Sequence, residues 1–117
     1  MKVKVRNETR KSLLAEAAEV ADTSAKRRTG LLKHSRLEAG EGLWILPCES
    51  VHTFFMKFPI DLVYLDKGRT VRKVRHAVPA WRLSACISAH SVLELPAGTV
   101  ERTGTVVGDV LDLEKLG

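Results

Sequence analysis

The chain has 117 residues, enough for one domain and too few for two. Its hydrophobic fraction of 44% supports a core and its charged fraction of 28% a solvated surface, and no run approaches the roughly 18 apolar residues of a membrane helix. The opening MKVKVRNETRKS is basic with no apolar stretch behind it, which argues against a secretory signal and for a cytoplasmic location. The formal charge of +5 permits anionic partners without identifying one.

Taken in chain order, Lys2–Arg6 alternates and reads as a first strand. Ser12–Ala21 carries two readings. LLAEAAEVA is rich in helix formers, yet Ala17, Glu19 and Ala21 alternate with Ala18 and Val20 as in a strand. Asp22-Thr23-Ser24 is an N-cap cluster ahead of a short helix over Ala25–Leu32, with Lys26, Arg27, Arg28 and Lys33 on its wet side. Gly40-Glu41-Gly42 is a turn. Leu43–Leu46 is an apolar run ended by Pro47, and Val51–Met56 is a second, stopped at Phe58-Pro59. Leu62–Leu65 ends at Asp66-Lys67-Gly68, and Thr70–Val74 follows at once; strand, Gly-containing turn, strand is a hairpin signal. Ser91–Leu95 closes at Pro96-Ala97-Gly98, while Val106-Val107 and Val110–Leu113 flank Gly108-Asp109. These elements predict a mainly β (α+β) class: a compact sheet or partly closed barrel of short strands with one or two small helices. Leu62–Leu65 is apolar on both faces, as in a strand covered on both sides, so its hairpin is placed mid-domain. Phe54, Phe55, Phe58, Leu62, Val63 and Leu65 read as core.

Several polar residues interrupt these apolar runs. His52 lies on a core-like strand, where it is either a satisfied structural histidine or an acid/base or ligand-binding group at a pocket mouth. Asp61 either caps the turn after Phe58-Pro59 or holds Lys57, Arg82 or a ligand cation. Lys57 and Arg82 are the anion-binding candidates, and Trp81 beside Arg82 offers an aromatic plane next to a guanidinium. Glu94 sits between Leu93 and Leu95. By alternation it points outward to solvent; if its strand is central it must be paired, with Lys57 or Arg82 as partner. Asp109 reads as a turn former. Cys48 and Cys86 form no CxxC pair and read as buried free thiols. Cys48 and His52 are roughly 13 Å apart along a strand, too far to share a zinc ion whose bonds are about 2 Å. No GxSxG, P-loop or GxGxxG motif is present. Basic residues fall in two groups, Lys26, Arg27, Arg28, Lys33, Arg36 and Lys67, Arg69, Arg72, Lys73, Arg75.

VHTFFMKFPIDLVYLD at Val51–Asp66, PAWR at Pro79–Arg82, VLELPAG at Val92–Gly98 and VGD at Val107–Asp109, with GLL at Gly30–Leu32 and EGLWI at Glu41–Ile45, resemble domain of unknown function family 192. These are small uncharacterised prokaryotic proteins, and the similarity runs from about Leu14 to Leu113. The resemblance implies a compact, mainly β domain and makes Leu14–Ala21 a strand; it implies no activity. Many members carry a tryptophan before the Met-Lys or Met-Arg pair and Asn-Thr after it; here Phe55 precedes Met56-Lys57 and Phe58-Pro59 follows.

The leading functional expectation is a binding or accessory module with a small polar pocket drawn from His52, Lys57, Asp61, Trp81, Arg82 and Glu94. It has no catalytic or metal-ligating residue and no cofactor, and takes a small anionic ligand or a protein partner. The second is nucleic-acid binding through the basic groups, against which stands an aromatic fraction of only 5%. The third is a small hydrolase-like enzyme, disfavoured because no activated nucleophile is evident.

Overall fold

The computed structural model describes residues 1–32 and 34–117. Its strands are β1 (Lys2–Asn7), β2 (Ser12–Ala21), β3 (Glu41–Ile45), β4 (Ser50–His52), β5 (Ile60–Leu65), β6 (Val71–Val78), β7 (Leu83–Ala85), β8 (Ser91–Pro96) and β9 (Leu111–Lys115). Two short helices, α1 (Ser24–Thr29) and α2 (Thr99–Thr103), complete it. Seven strands form one sheet in the order β6-β5-β8-β3-β2-β1-β9, and β4 pairs with β7 in a separate two-stranded ribbon. The sheet curls into a half-barrel. Its two edges touch at one end, where Thr70 bridges Val110 and Val71 N–H donates to the Asp109 carbonyl at 2.8 Å.

The Ser12–Ala21 stretch is a strand despite its helix formers. It pairs with β1 on one side and β3 on the other, and buries Leu14, Ala15, Ala18 and Val20. Ladder bonds on both edges and burial of this face outweigh an intrinsic preference of a few tenths of a kcal/mol per residue. β2 and β3 are parallel, so the chain between them must cross over the sheet, and α1 is part of that crossover. The Thr23 hydroxyl accepts from Lys26 N–H to cap α1, and Gly30, at φ 50, caps its other end, so the helix stops at Thr29 rather than at the expected Leu32. The basic side expected of this helix included Lys33, which lies outside the described residues.

Alternation along the strands separates two cores. Val63, Leu65, Leu93, Leu95 and Trp44 face one side and join Val3, Val5, Leu111 and Leu113 from the far end of the strand order. Residues from both ends meet there, so this is the concave face, and Val100 of α2 plugs it. Ile60, Leu62, Tyr64, Val92, Leu43 and Ile45 face the other side, under Leu31, Met56 and the β4–β7 ribbon. β5 is buried along its whole length between β6 and β8, as a strand apolar on both faces requires. Gly42 permits the tightest contact between strands: a Cβ there would lie 2.9 Å from Leu95 Cδ2 and 3.2 Å from the Glu94 carbonyl oxygen.

Buried polar side chains tie the pieces together. Asp61, fully buried, accepts from Ala77 N–H and from Val100 N–H, both at 2.8 Å. One carboxylate thereby satisfies an irregularity in β6 and the first turn of α2. Asp109 accepts from Asn7, from Arg10 and from Val106 N–H, closing the turn before β9. Burial works to raise the Asp109 carboxyl, but these hydrogen bonds and the Arg10 charge outweigh it and hold the group below its usual range.

Four expectations are corrected. Val51–Met56 is not a continuous strand, because β4 ends at His52 and the chain turns at Thr53–Met56. Val106-Val107 is a turn, not a strand. Phe54 and Phe58 are half-buried and Phe55 is 69% exposed, so these rings are not plain core. Cys48 and Cys86 are free but only half-buried.

Candidate ligand-binding cleft

The β2–α1–β3 crossover and the turn into β4 leave a cleft of about 960 Å³ over the sheet. One wall is α1 and the Gly30–Leu32 segment, and the other is Pro47–His52 with Ala89 and His90. Glu94 lies at the floor. Arg27 anchors the α1 wall, reaching the Asp22 carbonyl at 3.2 Å and the Leu46 carbonyl at 3.5 Å. Cys48 N–H donates to the His90 carbonyl at 2.9 Å and Cys86 N–H to the Glu49 carbonyl at 2.8 Å, which pins the opposite wall.

Glu94 is where the expectation from alternation fails most informatively. Its register partners are Leu43 on β3 and Leu62 on β5, so it points to one face of the sheet as alternation requires. That face is covered here, and Glu94 is only 5% exposed. Neither Lys57 nor Arg82 reaches it, and among the described residues it forms no ion pair. Burial alone pushes its carboxyl up from 4.5 to about 7. Beside it, the Cys48 thiol is also raised, first by burial and then by the Glu94 and Glu49 charges, while the Ser50 backbone and the Arg27 charge work the other way. The Tyr64 and Ser84 hydroxyls are buried nearby without hydrogen-bond partners among the described residues. Burial raises the phenol, and Ser84 opposes this from outside hydrogen-bond geometry.

The other residues singled out from the sequence fall in three places. His52 joins Glu94 at the cleft, but it is exposed at the lip, where its Nδ1 accepts from Phe54 N–H at 3.3 Å. Asp61 is on the opposite face of the sheet with both oxygens occupied by backbone. Trp81 and Arg82 belong to an exposed ridge, and Lys57 is exposed two residues past Phe55. There His52 stacks on Phe54 at 4.9 Å, Phe54 on Trp81 at 5.5 Å, and Phe55 meets Trp81 edge-on at 4.7 Å. Buried Thr53 clamps the two loops of the ridge: its hydroxyl donates to the Pro79 carbonyl at 2.6 Å and accepts from Arg82 N–H at 2.9 Å. Phe55 and Trp81 both take positive φ, 64 and 66°, so the clamp holds them in a costly backbone region. The Arg82 guanidinium folds back over the Ala80 and Trp81 carbonyls. Sequence reading missed the α1 wall and Cys48 as cleft members, because only the crossover brings them over β8.

The site shows no assembled nucleophile. Cys48 donates to a carbonyl rather than to a histidine, and its thiol is raised, which lowers the thiolate fraction. Among the described residues no three of His, Cys, Asp and Glu gather closely enough to hold a metal ion. Among the described residues no helix is long and apolar enough to cross a membrane. Three of the five residues of the second basic group are individually engaged: Arg69 over the Trp44 ring at 5.1 Å, Arg72 near Asp66 at 3.9 Å, and Lys73 on the Ala85 carbonyl at 2.7 Å.

Residues 4–113 match the DUF192 family, described as "Uncharacterized ACR". A UPF0127 protein of Thermococcus sibiricus is 32% identical over 114 residues, covering 92% of this chain and 73% of that one. Another from Thermococcus gammatolerans is 33% identical over 111 residues, covering 90% and 71%. A crystal structure of a Novosphingobium aromaticivorans protein of unknown function superposes with TM-score 0.79 at 22% identity, covering 96% of this chain and 84% of that one. One from Sinorhizobium meliloti, described as a putative transcription regulator, superposes with TM-score 0.83 at 21% identity, covering 96% and 92%. At these identities the two structures share the fold alone.

Proposed function

This chain belongs to the DUF192 family, whose name carries no activity, and for it we propose the role of a small-ligand-binding module that works through the cleft between α1 and β4. One observation carries the reading: an unpartnered carboxylate, 5% exposed, at the floor of an open cleft. Burying a carboxylate without a partner costs several kcal/mol, so a fold that only needed to pack would fill this position with an apolar side chain. A bound ligand supplies the missing partner. The cleft volume of about 960 Å³ lies at the upper end of ordinary small-molecule sites. The test is a fragment screen followed by amide chemical shifts, which a 12.9 kDa chain suits. Binding that shifts the amides of Thr29, Cys48, Ser50, His90 and Glu94 supports the reading. A broad library of polar fragments that leaves those amides unmoved removes it.

A second reading has its own observation. Three of the six aromatic residues, Phe54, Phe55 and Trp81, are gathered on the exposed ridge with Lys57 and Arg82 adjacent in sequence. Stacked rings beside cations suit the bases and phosphates of a single strand, which offsets the low overall aromatic content. A gel-shift titration with a single-stranded oligonucleotide at low salt decides it; no complex there rules the reading out.

A further inference from the structure

The charges around the cleft are arranged by depth. Glu94 from β8 lies at the floor, between its register neighbours Leu43 and Leu62. Cys48 lines the same cleft, and both the Glu94 and the Arg27 charges act on its thiol. Arg27 is committed to two backbone carbonyls. Arg28, one residue on, lines the cleft, is exposed, and takes part in no ion pair among the described residues. His52 and His90 complete the opposite wall and Glu49 lies beside them, while Tyr64 of β5 lies behind the floor. Negative charge therefore sits at the floor and on the wall opposite α1, and positive charge sits at the mouth on the α1 side.

We propose that the cleft takes a zwitterionic ligand, with a protonated amine or guanidinium against Glu94 and an anionic group toward Arg28. This rests on the ligand-binding reading above and specifies its chemistry. A cation with N–H donors is the partner that best offsets a buried carboxylate, because charge-assisted hydrogen bonds are roughly twice as strong as neutral ones. An anionic ligand group at the floor would meet Glu94 itself. The cation binds the ionised carboxylate, so affinity falls about tenfold for each pH unit below the Glu94 value of about 7 and levels off above it.

The experiment titrates the intact chain with free arginine, agmatine, succinate and glycerol, following the cleft amides at pH 6 and pH 8. Arginine is expected to bind more tightly at pH 8. Glu94→Gln weakens it at least tenfold and removes the pH dependence. Arg28→Ala weakens arginine severalfold and leaves agmatine, which lacks the carboxylate, unchanged. Binding of arginine that Glu94→Gln leaves intact, or absence of any shift with both cations, overturns the proposal. Succinate or glycerol filling the cleft in that case shows that the ligand-binding reading stands and only its chemistry is wrong.

Discussion

Glu94 makes a stability prediction that needs no ligand. Its carboxyl ionises near 4.5 when solvated, and burial in the cleft pushes it to about 7. The folded state thus holds this proton more tightly than the unfolded chain does. Between those values the unfolded chain loses its proton first, so native stability falls as pH rises. The span from 4.5 to about 7, at about 1.4 kcal/mol per pH unit, amounts to about 3 kcal/mol. Glu94→Gln keeps the shape and cannot ionise. Its advantage over the wild type is expected to be smallest near pH 4.5, to grow through pH 5–7 and to level off above, at about 3 kcal/mol more than its starting value. That corresponds to a melting-temperature gap on the order of 10 °C at this chain length. Urea titrations at half-unit pH steps from 4.5 to 8.5, followed by tryptophan fluorescence, measure it. Stability curves of the two proteins that run parallel across that range refute the buried, unpartnered carboxylate and with it the basis of the cleft reading.

Two further outcomes test the framework that shapes the cleft. Asp61→Ala strips the acceptor from the buried Val100 N–H and the part-buried Ala77 N–H and is expected to cost about 2 kcal/mol or more, while Asp61→Asn, which keeps one acceptor oxygen, costs less; denaturation midpoints rank the three proteins. Gly42→Ala places a methyl 2.9 Å from Leu95 Cδ2, and the strand or the leucine must give. A loss of about 1–3 kcal/mol by the same assay is expected, and a neutral result shows that β3 and β8 are less tightly packed at this point.

Much of the fold was legible in local pattern. Leu62–Leu65, apolar on both faces, marked a covered strand, and its Gly-containing turn marked the hairpin to β6. The family resemblance, not propensity, identified Leu14–Ala21 as a strand, because the partners of β2, β1 and β3, are set by pairing that no local window contains. The site was less legible. His52 and Glu94 were picked out as polar residues in core-like strands, and they do meet at the cleft. Lys57, Trp81 and Arg82 were equally conspicuous but do not line the cleft, Trp81 and Arg82 belonging to the ridge, and Asp61 serves the backbone on the other face.

Alternation by itself determined which side of β8 Glu94 leaves from, since successive side chains must point to opposite faces of a sheet. It could not say that this side is roofed. That was decided by the parallel pairing of β2 with β3, which sends α1 over the sheet, and by the β4–β7 ribbon that covers the rest of the same face. The polarity of Glu94 is a local property of the chain; its burial without a partner is a property of elements up to seventy residues away.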